Sequence, residues 1–200
     1  MQDFSEFLKI LNTYKLKGVA RKLINSYYDE KDDIEYVRNE TTAEHVYSVL
    51  KLADFFLTNE PEFKDLDRLH CYELLMYHDD VEIITQDICI LDFENRKTKD
   101  DKELKSIPIL AKLYPKNISD KFVKLDQEYR EISTKEAKFV KSVDKLDGIN
   151  QAVIGISDWT KSGITQEGWI RLYTPVFSYS PTFLYYFQEL FKYLKENKYF

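Results

Sequence analysis

The chain has 200 residues, 44% hydrophobic and 32% charged, and this length and composition favour one globular domain. Its formal net charge of −6 argues against a nucleic-acid polymer as a partner. No apolar run approaches the roughly 18 residues of a membrane span, and the first residues do not read as a secretory signal. The two cysteines, Cys71 and Cys89, show no paired spacing. We therefore expect a cytoplasmic protein with reduced thiols and no membrane partner.

The first half of the chain shows the three- and four-residue apolar spacing of amphipathic helices. A first helix is predicted to begin at Phe4. Thr41 and Glu44 have the spacing of a capping box, which predicts the start of a second helix. A third apolar run leads into His78. The apolar residues of the three segments are Phe4, Phe7, Leu8, Leu11 and Leu16; Val46, Val49, Leu50, Ala53 and Phe56; and Leu66, Leu69, Leu74, Leu75 and Met76.

Two further helices are predicted in the second half. Ser133 and Glu136 repeat the capping-box spacing before an apolar run that reaches Leu146. Ser180 followed by Pro181 is a favourable N-cap and first-turn pair for a last helix. That helix carries an aromatic stripe, which we interpret as core or as a dimer seam: Phe183, Phe187 and Phe191.

The remaining segments are predicted to be connections. Residues 92–105 are almost all polar, which indicates a mobile surface connection. Glycine and proline cluster between residues 155 and 175, which predicts a loop or short turns. No convincing set of alternating strands is evident, so the predicted fold class is all-α.

Histidine is scarce, which makes the context of each one informative. His78 directly precedes Asp79, at the polar end of an apolar helix. If the helix ends there, both side chains can reach one ion, and imidazole with carboxylate suits Mn, Fe, Co, Ni or Zn better than Ca. The alternative is a surface pair at a helix terminus. His70 fits no motif and is interpreted as a core or surface residue.

Two other residues are candidates for the same ion. His45 lies in the first turn of the second helix, although a solvent-facing position near the cap is the simpler reading. Asp144 lies at the margin of the apolar stripe of its helix, where a carboxylate needs a partner such as a metal or an arginine. Asp147, about one turn further on, competes with Asp144 for this role.

Together these residues resemble the H…HD…D motif of the HD-domain superfamily, a family of metal-dependent phosphohydrolases on a helical scaffold. His45 and His78 are 33 positions apart, and Asp79 and Asp144 are 65 apart, as in a compact HD domain. Three stretches are similar to the YfbR-like and HD-domain-containing-protein-2-like 5′-deoxynucleotidases: Glu40 to His45, Met76 to Ile88, and Glu136 to Lys145.

The resemblance covers roughly residues 5–155 and implies a single HD domain over 1–200, with a core of about 5–155 and a C-terminal helical extension of about 156–200. It implies that His45, His78, Asp79 and Asp144 hold one divalent ion of Mn, Co, Ni, Fe, Zn or Mg. The expected substrate is a nucleoside 5′-monophosphate, and a homodimer is possible. The alternatives are hydrolysis of another nucleotide, which could be a triphosphate, a signalling nucleotide or a cyclic nucleotide, and a non-catalytic metal-containing regulatory module.

Three further residues receive roles from the resemblance. Glu82 and Asp87 are implied as catalytic acid or base, because a carboxylate beside a metal can exchange protons with water or a leaving alcohol. The alternatives are a partner that orients His78 for Glu82 and a helix cap or turn residue for Asp87. Arg38 is implied to bind phosphate with two parallel bonds, and its alternative is a surface ion pair with Glu35 or Glu40.

The chain departs from the family pattern at two places. The family's Thr-Gly-Asp reads Thr85-Gln86-Asp87, so Gln86 must occupy a turn that usually takes a positive φ. Relatives also carry an Arg-Trp pair after a Leu-Ile-Asn-like stretch, where this chain has Ser26-Tyr27. These departures bear on substrate selection.

Overall fold

Helices dominate the computed structural model, which describes residues 4–29, 31, 33–90, 92–154 and 165–198. The predicted all-α class is confirmed, with the addition of one β-hairpin. The α-helices are α1 Phe4–Leu8, α2 Thr42–Asn59, α3 Arg68–Tyr77, α4 Glu82–Thr85, α5 Phe93–Arg96, α6 Lys99–Leu113, α7 Lys116–Glu131, α8 Lys135–Ile154, α9 Gln166–Phe177 and α10 Pro181–Glu196. Two 3₁₀ helices, Lys9–Gly18 and Pro61–Phe63, lie between them.

The main core lies between α2, α3, α8, α9 and α10. One continuous apolar cluster joins Val49 and Phe56 of α2, Leu75 of α3, Val143 of α8 and Phe187 of α10. The aromatic stripe of α10 is therefore core: Phe183, Phe187 and Phe191 are all buried. A smaller cluster around Leu110 and Phe122 joins α6 to α7. Among the described helices, none combines the length and apolar character needed to cross a bilayer.

The hairpin consists of β1 Ala20–Asp29 and β2 Ile34–Thr41, which pair antiparallel. Ala20 pairs with Thr41, but Ile24 pairs with Asn39, so the register shifts between Ala20 and Ile24. An irregularity of this kind bends a strand and redirects its side chains. The sequence did not predict the hairpin, because its residues do not alternate strictly between apolar and polar.

The N-terminal prediction was partly wrong. The segment is a one-turn α-helix followed by the 3₁₀ helix Lys9–Gly18 instead of one amphipathic helix. Phe4, Phe7, Leu8 and Leu11 are exposed, and only Leu16 of the predicted stripe is buried. With so little packing against the core, tertiary contacts do not support a continuous α-helix here.

Two predicted connections are helical where the structure describes them. Residues 92–105, predicted to be mobile, form α5 and the first half of α6. Most side chains of this segment are polar and exposed, but one face of α6 is buried. That face carries Glu103, Ser106 and Leu110 at helical spacing. In the predicted loop 155–175, α9 begins after its N-cap Thr165, and residues 155–164 lie outside the described residues.

The capping signals were more accurate. Thr41 and Glu44 form the predicted capping box at the start of α2, and Ser180 caps α10 with Pro181 in its first turn. The cap of α8 was assigned one residue too early. Thr134, not Ser133, accepts the backbone N–H of Ala137 at 3.0 Å. Glu136, the other half of the predicted box, instead accepts the N–H of Asp67.

Candidate metal centre

Helix ends place the two histidines of the motif. His45 lies in the first turn of α2, where the Thr41–Glu44 capping box fixes the start of the helix. His78 is the residue at which α3 ends, and Asp79 lies in the turn before α4. Because the chain leaves the helix at this point, His78 and Asp79 can face one point although they are adjacent.

The four residues predicted as metal ligands converge. The Nε2 atoms of His45 and His78 lie 3.3 Å apart, and Asp79 Oδ2 lies 3.5 Å and 3.2 Å from them. Asp144 Oδ1 lies 3.3 Å from His45 Nε2 and 4.0 Å from His78 Nε2. Ligand atoms held about 2.1 Å from one ion lie about 3–3.5 Å from one another. The spacing of His45, His78 and Asp79 therefore suits a single ion between them, and Asp144 Oδ1 faces the same two imidazoles.

The outer nitrogens of both imidazoles are held by hydrogen bonds. His78 Nδ1 donates to the carbonyl of Leu75 at 2.7 Å, and His45 Nδ1 lies 2.8 Å from Asp147 Oδ2. Because these bonds hold a proton on Nδ1, each Nε2 can present its lone pair to an ion at the centre once it has lost its own proton. Asp147, the competitor of Asp144 in the sequence, therefore lies on the far side of His45 and orients the ring.

Asp144 is oriented in a similar way. Its Oδ2 accepts a hydrogen bond from Tyr129 of α7 at 2.7 Å and one from Lys145 at 2.8 Å. Both donors occupy the same oxygen, so Oδ1 is left to face the two imidazoles. Asp144 was predicted at the margin of the apolar stripe of α8, where a carboxylate needs a partner. In the structure it is buried and has several partners.

The raised pKa of His45 and the types of donor atom in this centre are those of a cation-binding site. Burial and Arg21 lower the pKa of His45, yet its hydrogen bonds with Asp144 and Asp147 outweigh them and raise that pKa to about 10. A site that retains a proton so strongly among carboxylates can accept a metal ion in its place. Imidazole and carboxylate donors are those of Mn, Fe, Co, Ni and Zn. The residues present therefore fit a divalent metal ion.

Arg21 belongs to the site and was missed in the sequence. Its Nη1 lies 3.4 Å from Asp79 Oδ2, and its Nε lies 3.1 Å from Oε2 of the buried Glu40. Burial lowers its pKa, but Asp79, Asp87, Asp144 and Glu82 raise it further, so the guanidinium is charged. Arg21 stands in the register shift of β1, a feature that no local pattern in the sequence indicated.

Glu82 and Asp87 lie on opposite sides of a strained turn. Glu82 begins α4 and is buried, and its Oε2 accepts a hydrogen bond from Thr42 Oγ1 at 2.9 Å. Its Oε1 lies 3.7 Å from Lys99 Nζ, so Glu82 has partners other than His78, whose Nδ1 is held by Leu75. Burial, Asp79 and Asp87 raise the pKa of Glu82 well above its usual range. Gln86 adopts a φ of 63°, so the turn keeps a positive φ without glycine.

A cavity of about 670 Å³ opens beside the centre. Its wall includes His78, Asp79 and Asp144 from the centre together with Glu82 and Asp87. Basic side chains also line it: Arg21, Lys22, Arg96, Lys99, Arg130, Lys141 and Lys145. Carboxylates, a cluster of basic groups and side chains of the candidate metal centre thus meet in one space large enough for a small ligand.

Arg38 and His70 lie elsewhere. Arg38 of β2 is not among the residues that line the cavity, and its guanidinium binds the Glu44 carboxylate, with Nη1 at 2.8 Å from Oε2. This is an ion pair on the protein surface, with a different glutamate from the two considered in the sequence. His70 Nε2 lies 2.9 Å from the Glu128 carboxylate, away from the centre.

Comparison with known proteins identifies the scaffold. The profile of the HD domain matches residues 28–169. The chain is 33% identical over 113 residues to 5′-deoxynucleotidase HDDC2 of Bos taurus, covering 56% of this chain and 53% of that protein. It is 32% identical over 116 residues to 5′-deoxynucleotidase hdd1 of Schizosaccharomyces pombe, covering 56% of each. The chain spans about half the length of the curated relatives it matches.

A solved structure shares the fold over almost the whole chain. A protein of Magnetospirillum magnetotacticum, described as a predicted metal-dependent phosphohydrolase, superposes with a TM-score of 0.77 at 22% identity. The match covers 98% of this chain and 96% of that one. An HD-domain phosphohydrolase of Listeria innocua gives a TM-score of 0.59 at 19% identity, covering 95% and 85%. With the family profile matching most of its length, the chain belongs to the HD domain family.

Proposed function

We propose that the protein is a metal-dependent phosphohydrolase that converts nucleoside 5′-monophosphates, deoxynucleotides first, to nucleoside and inorganic phosphate. The observation that carries this proposal is the convergence of His45, His78, Asp79 and Asp144 at the edge of a cavity lined by basic side chains. The 5′-deoxynucleotidases among the relatives support the choice of substrate.

The four converging side chains are proposed to hold one divalent ion. When bound, such an ion supplies Lewis acidity and positive charge at the phosphate. Asp147 and the Leu75 carbonyl keep the two imidazoles oriented, while Tyr129 and Lys145 keep one oxygen of Asp144 turned inward.

Arg21 is proposed to bind the phosphate. A guanidinium can bond two phosphate oxygens in parallel, and Arg21 lines the cavity 3.4 Å from the Asp79 carboxylate. Its salt bridge with Glu40 engages Nε and so fixes the orientation of the guanidinium before phosphate binds. The role predicted for Arg38 remains a prediction, and the surface ion pair of Arg38 favours Arg21 instead.

Glu82 and Asp87 are proposed to exchange protons during hydrolysis. The oxygen of water forms a bond to phosphorus, the bond between phosphorus and the 5′ oxygen breaks, and the proton lost by water is balanced by the proton gained by the leaving oxygen. A buried carboxyl with a raised pKa, as in Glu82, is suited to carry that proton. Thr42 fixes one oxygen of Glu82, so the other can face the cavity.

Phosphate release from a panel of ribo- and deoxyribonucleoside monophosphates with Mn, Co, Ni or Mg tests the proposal. Asp79→Ala should abolish release, while Asp120→Ala, at an exposed aspartate of α7, should not alter it. The panel also contains triphosphates and cyclic nucleotides. Release from one of these alone would identify another nucleotide hydrolase on the same scaffold. Stable nucleotide binding without any release would identify a regulatory module and refute the proposal.

We also propose a single domain over residues 1–200. The helices of the C-terminal extension, α9 and α10, share one apolar cluster with α2, α3 and α8, which supports this organisation. The homodimer and the cytoplasmic location stay predictions. Because the aromatic stripe of α10 is buried, a dimer would need a different surface.

A further inference from the structure

The basic side chains of the cavity are not equivalent. Five of them lie within 4.0 Å of a carboxylate oxygen in the same chain: Arg21, Lys22, Lys99, Arg130 and Lys145. Arg96 is exposed and bonds the Ile88 carbonyl. Lys141 differs from all of them, because its ammonium has no carboxylate within that distance among the described residues although it lies at the cavity wall.

The surroundings of Lys141 fix its position. Its Nζ donates to the hydroxyl oxygen of Tyr129 at 3.0 Å and lies 4.1 Å from the centre of the same ring. The Tyr129 hydroxyl in turn donates its own proton to Asp144 Oδ2 at 2.7 Å. Lys141 is thus two hydrogen bonds away from a metal-binding carboxylate, yet it contacts none of the metal-binding side chains directly.

The charge of Lys141 is incompletely balanced. An ammonium has three N–H bonds, and Tyr129 accepts only one of them. Burial and the neighbouring Lys145 lower the pKa of Lys141 to about 8, which leaves the group mostly charged at neutral pH. Lys141 is half-buried, and a partly desolvated ammonium with no carboxylate in direct contact is unfavourable, so an anion in the cavity would relieve that cost.

We propose that Lys141 is a substrate-binding residue whose ammonium contacts a phosphate oxygen of the nucleotide. This inference rests on the proposed function and deepens it, because phosphate is the anion that the proposed reaction brings into the cavity and also leaves there as product. Arg21 from β1 and Lys141 from α8 then bind the same group from two different elements of the fold.

Two other lysines of α8, Lys145 and Lys138, have surroundings that differ from those of Lys141. Lys145 stands one turn further along α8, but its Nζ lies 2.8 Å from Asp144 Oδ2 and so serves to position that carboxylate. Lys138, one turn before Lys141, is exposed and is not part of the cavity wall. Three lysines of one helix therefore have three different surroundings, and Lys138 is a matched control for Lys141.

The test compares the wild type with Lys141→Met, Lys141→Arg and Lys138→Met. Calorimetry measures the affinity for Mn²⁺ or Co²⁺ first, and then the affinity of the metal-loaded protein for inorganic phosphate. Lys141→Met should bind the metal as the wild type does but bind phosphate about tenfold or more weakly, with a similar rise in KM for a nucleoside monophosphate. Lys141→Arg should retain part of the phosphate affinity, and Lys138→Met should match the wild type.

The outcomes separate the two proposals. If the wild type releases no phosphate from nucleotides but Lys141→Met still weakens phosphate binding, the proposed function fails and Lys141 remains an anion-binding residue. Equal phosphate affinity in Lys141→Met and Lys138→Met overturns the inference, and so does a wild type that binds no phosphate. A loss of metal affinity in both Lys141 variants would show a structural role instead. Should Lys141→Met not fold, Lys141→Gln supplies the neutral comparison.

Discussion

The four side chains of the candidate metal centre and the basic wall of the cavity follow different structural rules. His45, His78 and Asp144 come from helices or helix ends, and Asp79 follows directly after one of them. Arg21 comes from an irregular stretch of a hairpin strand. Helix ends can be predicted from capping residues and apolar spacing in the local sequence. A register shift in a strand cannot, because it depends on how two segments pair. The first region can therefore be located in a sequence, and the second requires the structure.

The largest effect is expected from removing a side chain that is proposed to bind the metal. Asp144→Ala should abolish metal binding and reduce phosphate release by about a thousandfold or more, because the positive charge at the phosphate is lost with the ion. Asp147→Asn should weaken metal affinity only about 10- to 100-fold, since Asp147 orients His45 from outside. Calorimetry with Mn²⁺ or Co²⁺ measures both, and a reversed order would show that Asp147 is the metal-binding residue.

Glu82 tests whether the chemistry is separate from metal binding. Glu82→Gln keeps the shape and the hydrogen bond from Thr42 but cannot exchange a proton. We expect kcat to fall about 100- to 10,000-fold while metal affinity stays within about twofold of the wild type. Steady-state kinetics and metal titration on the same samples measure this. An unchanged kcat would transfer the proton role to Asp87.

Substitution of Arg21 and of Arg38 tests which arginine binds the phosphate, the one indicated by the structure or the one predicted from the sequence. Arg21→Ala should raise KM for a nucleoside monophosphate about 10- to 100-fold, because a charged bond to the phosphate is lost. Arg38→Ala should leave KM unchanged, because its guanidinium pairs with Glu44 outside the cavity. A rise in KM for Arg38→Ala alone would favour the sequence-based prediction over the geometry.

The smallest expected effect concerns the cap of the helix that carries Asp144. Thr134→Ala should lower the free energy of unfolding by about 1 kcal/mol, because it removes the acceptor for the Ala137 N–H. Ser133→Ala should change it much less. Urea unfolding followed by circular dichroism measures both variants. Equal losses would indicate that both hydroxyls share the cap.

Particular residues show where sequence reasoning succeeded and why. The pairs Thr41–Glu44 and Ser180–Pro181 predicted helix starts because a cap depends only on neighbours within one turn. Residues 92–105 were misinterpreted because polarity marks exposure, and an exposed segment can still be helical when a few of its side chains are buried. Glu103 is one of these, and its partner Arg130 lies 27 positions away in the chain.

The same distinction holds within the site. The spacing of the H…HD…D motif located four side chains that the fold brings together. The sequence alone could not choose between Asp144 and Asp147, since both lie on α8 and only the position of His45 between them separates their roles. The placement of Lys141 over Tyr129 depends on the packing of α7 against α8, which no local pattern encodes.

Gln86 also has a consequence for local stability. Its φ of 63° and ψ of 161° fall in a region that is essentially reserved for glycine, at a cost of about 1–3 kcal/mol. The turn is held by a 2.9 Å hydrogen bond from the Gln86 N–H to the Glu82 carbonyl. The segment that connects Glu82 to Asp87 therefore stores strain, and opening it requires less free energy than unfolding α3. Amide hydrogens of residues 86–90 should accordingly exchange with solvent before those of the helix that leads to His78.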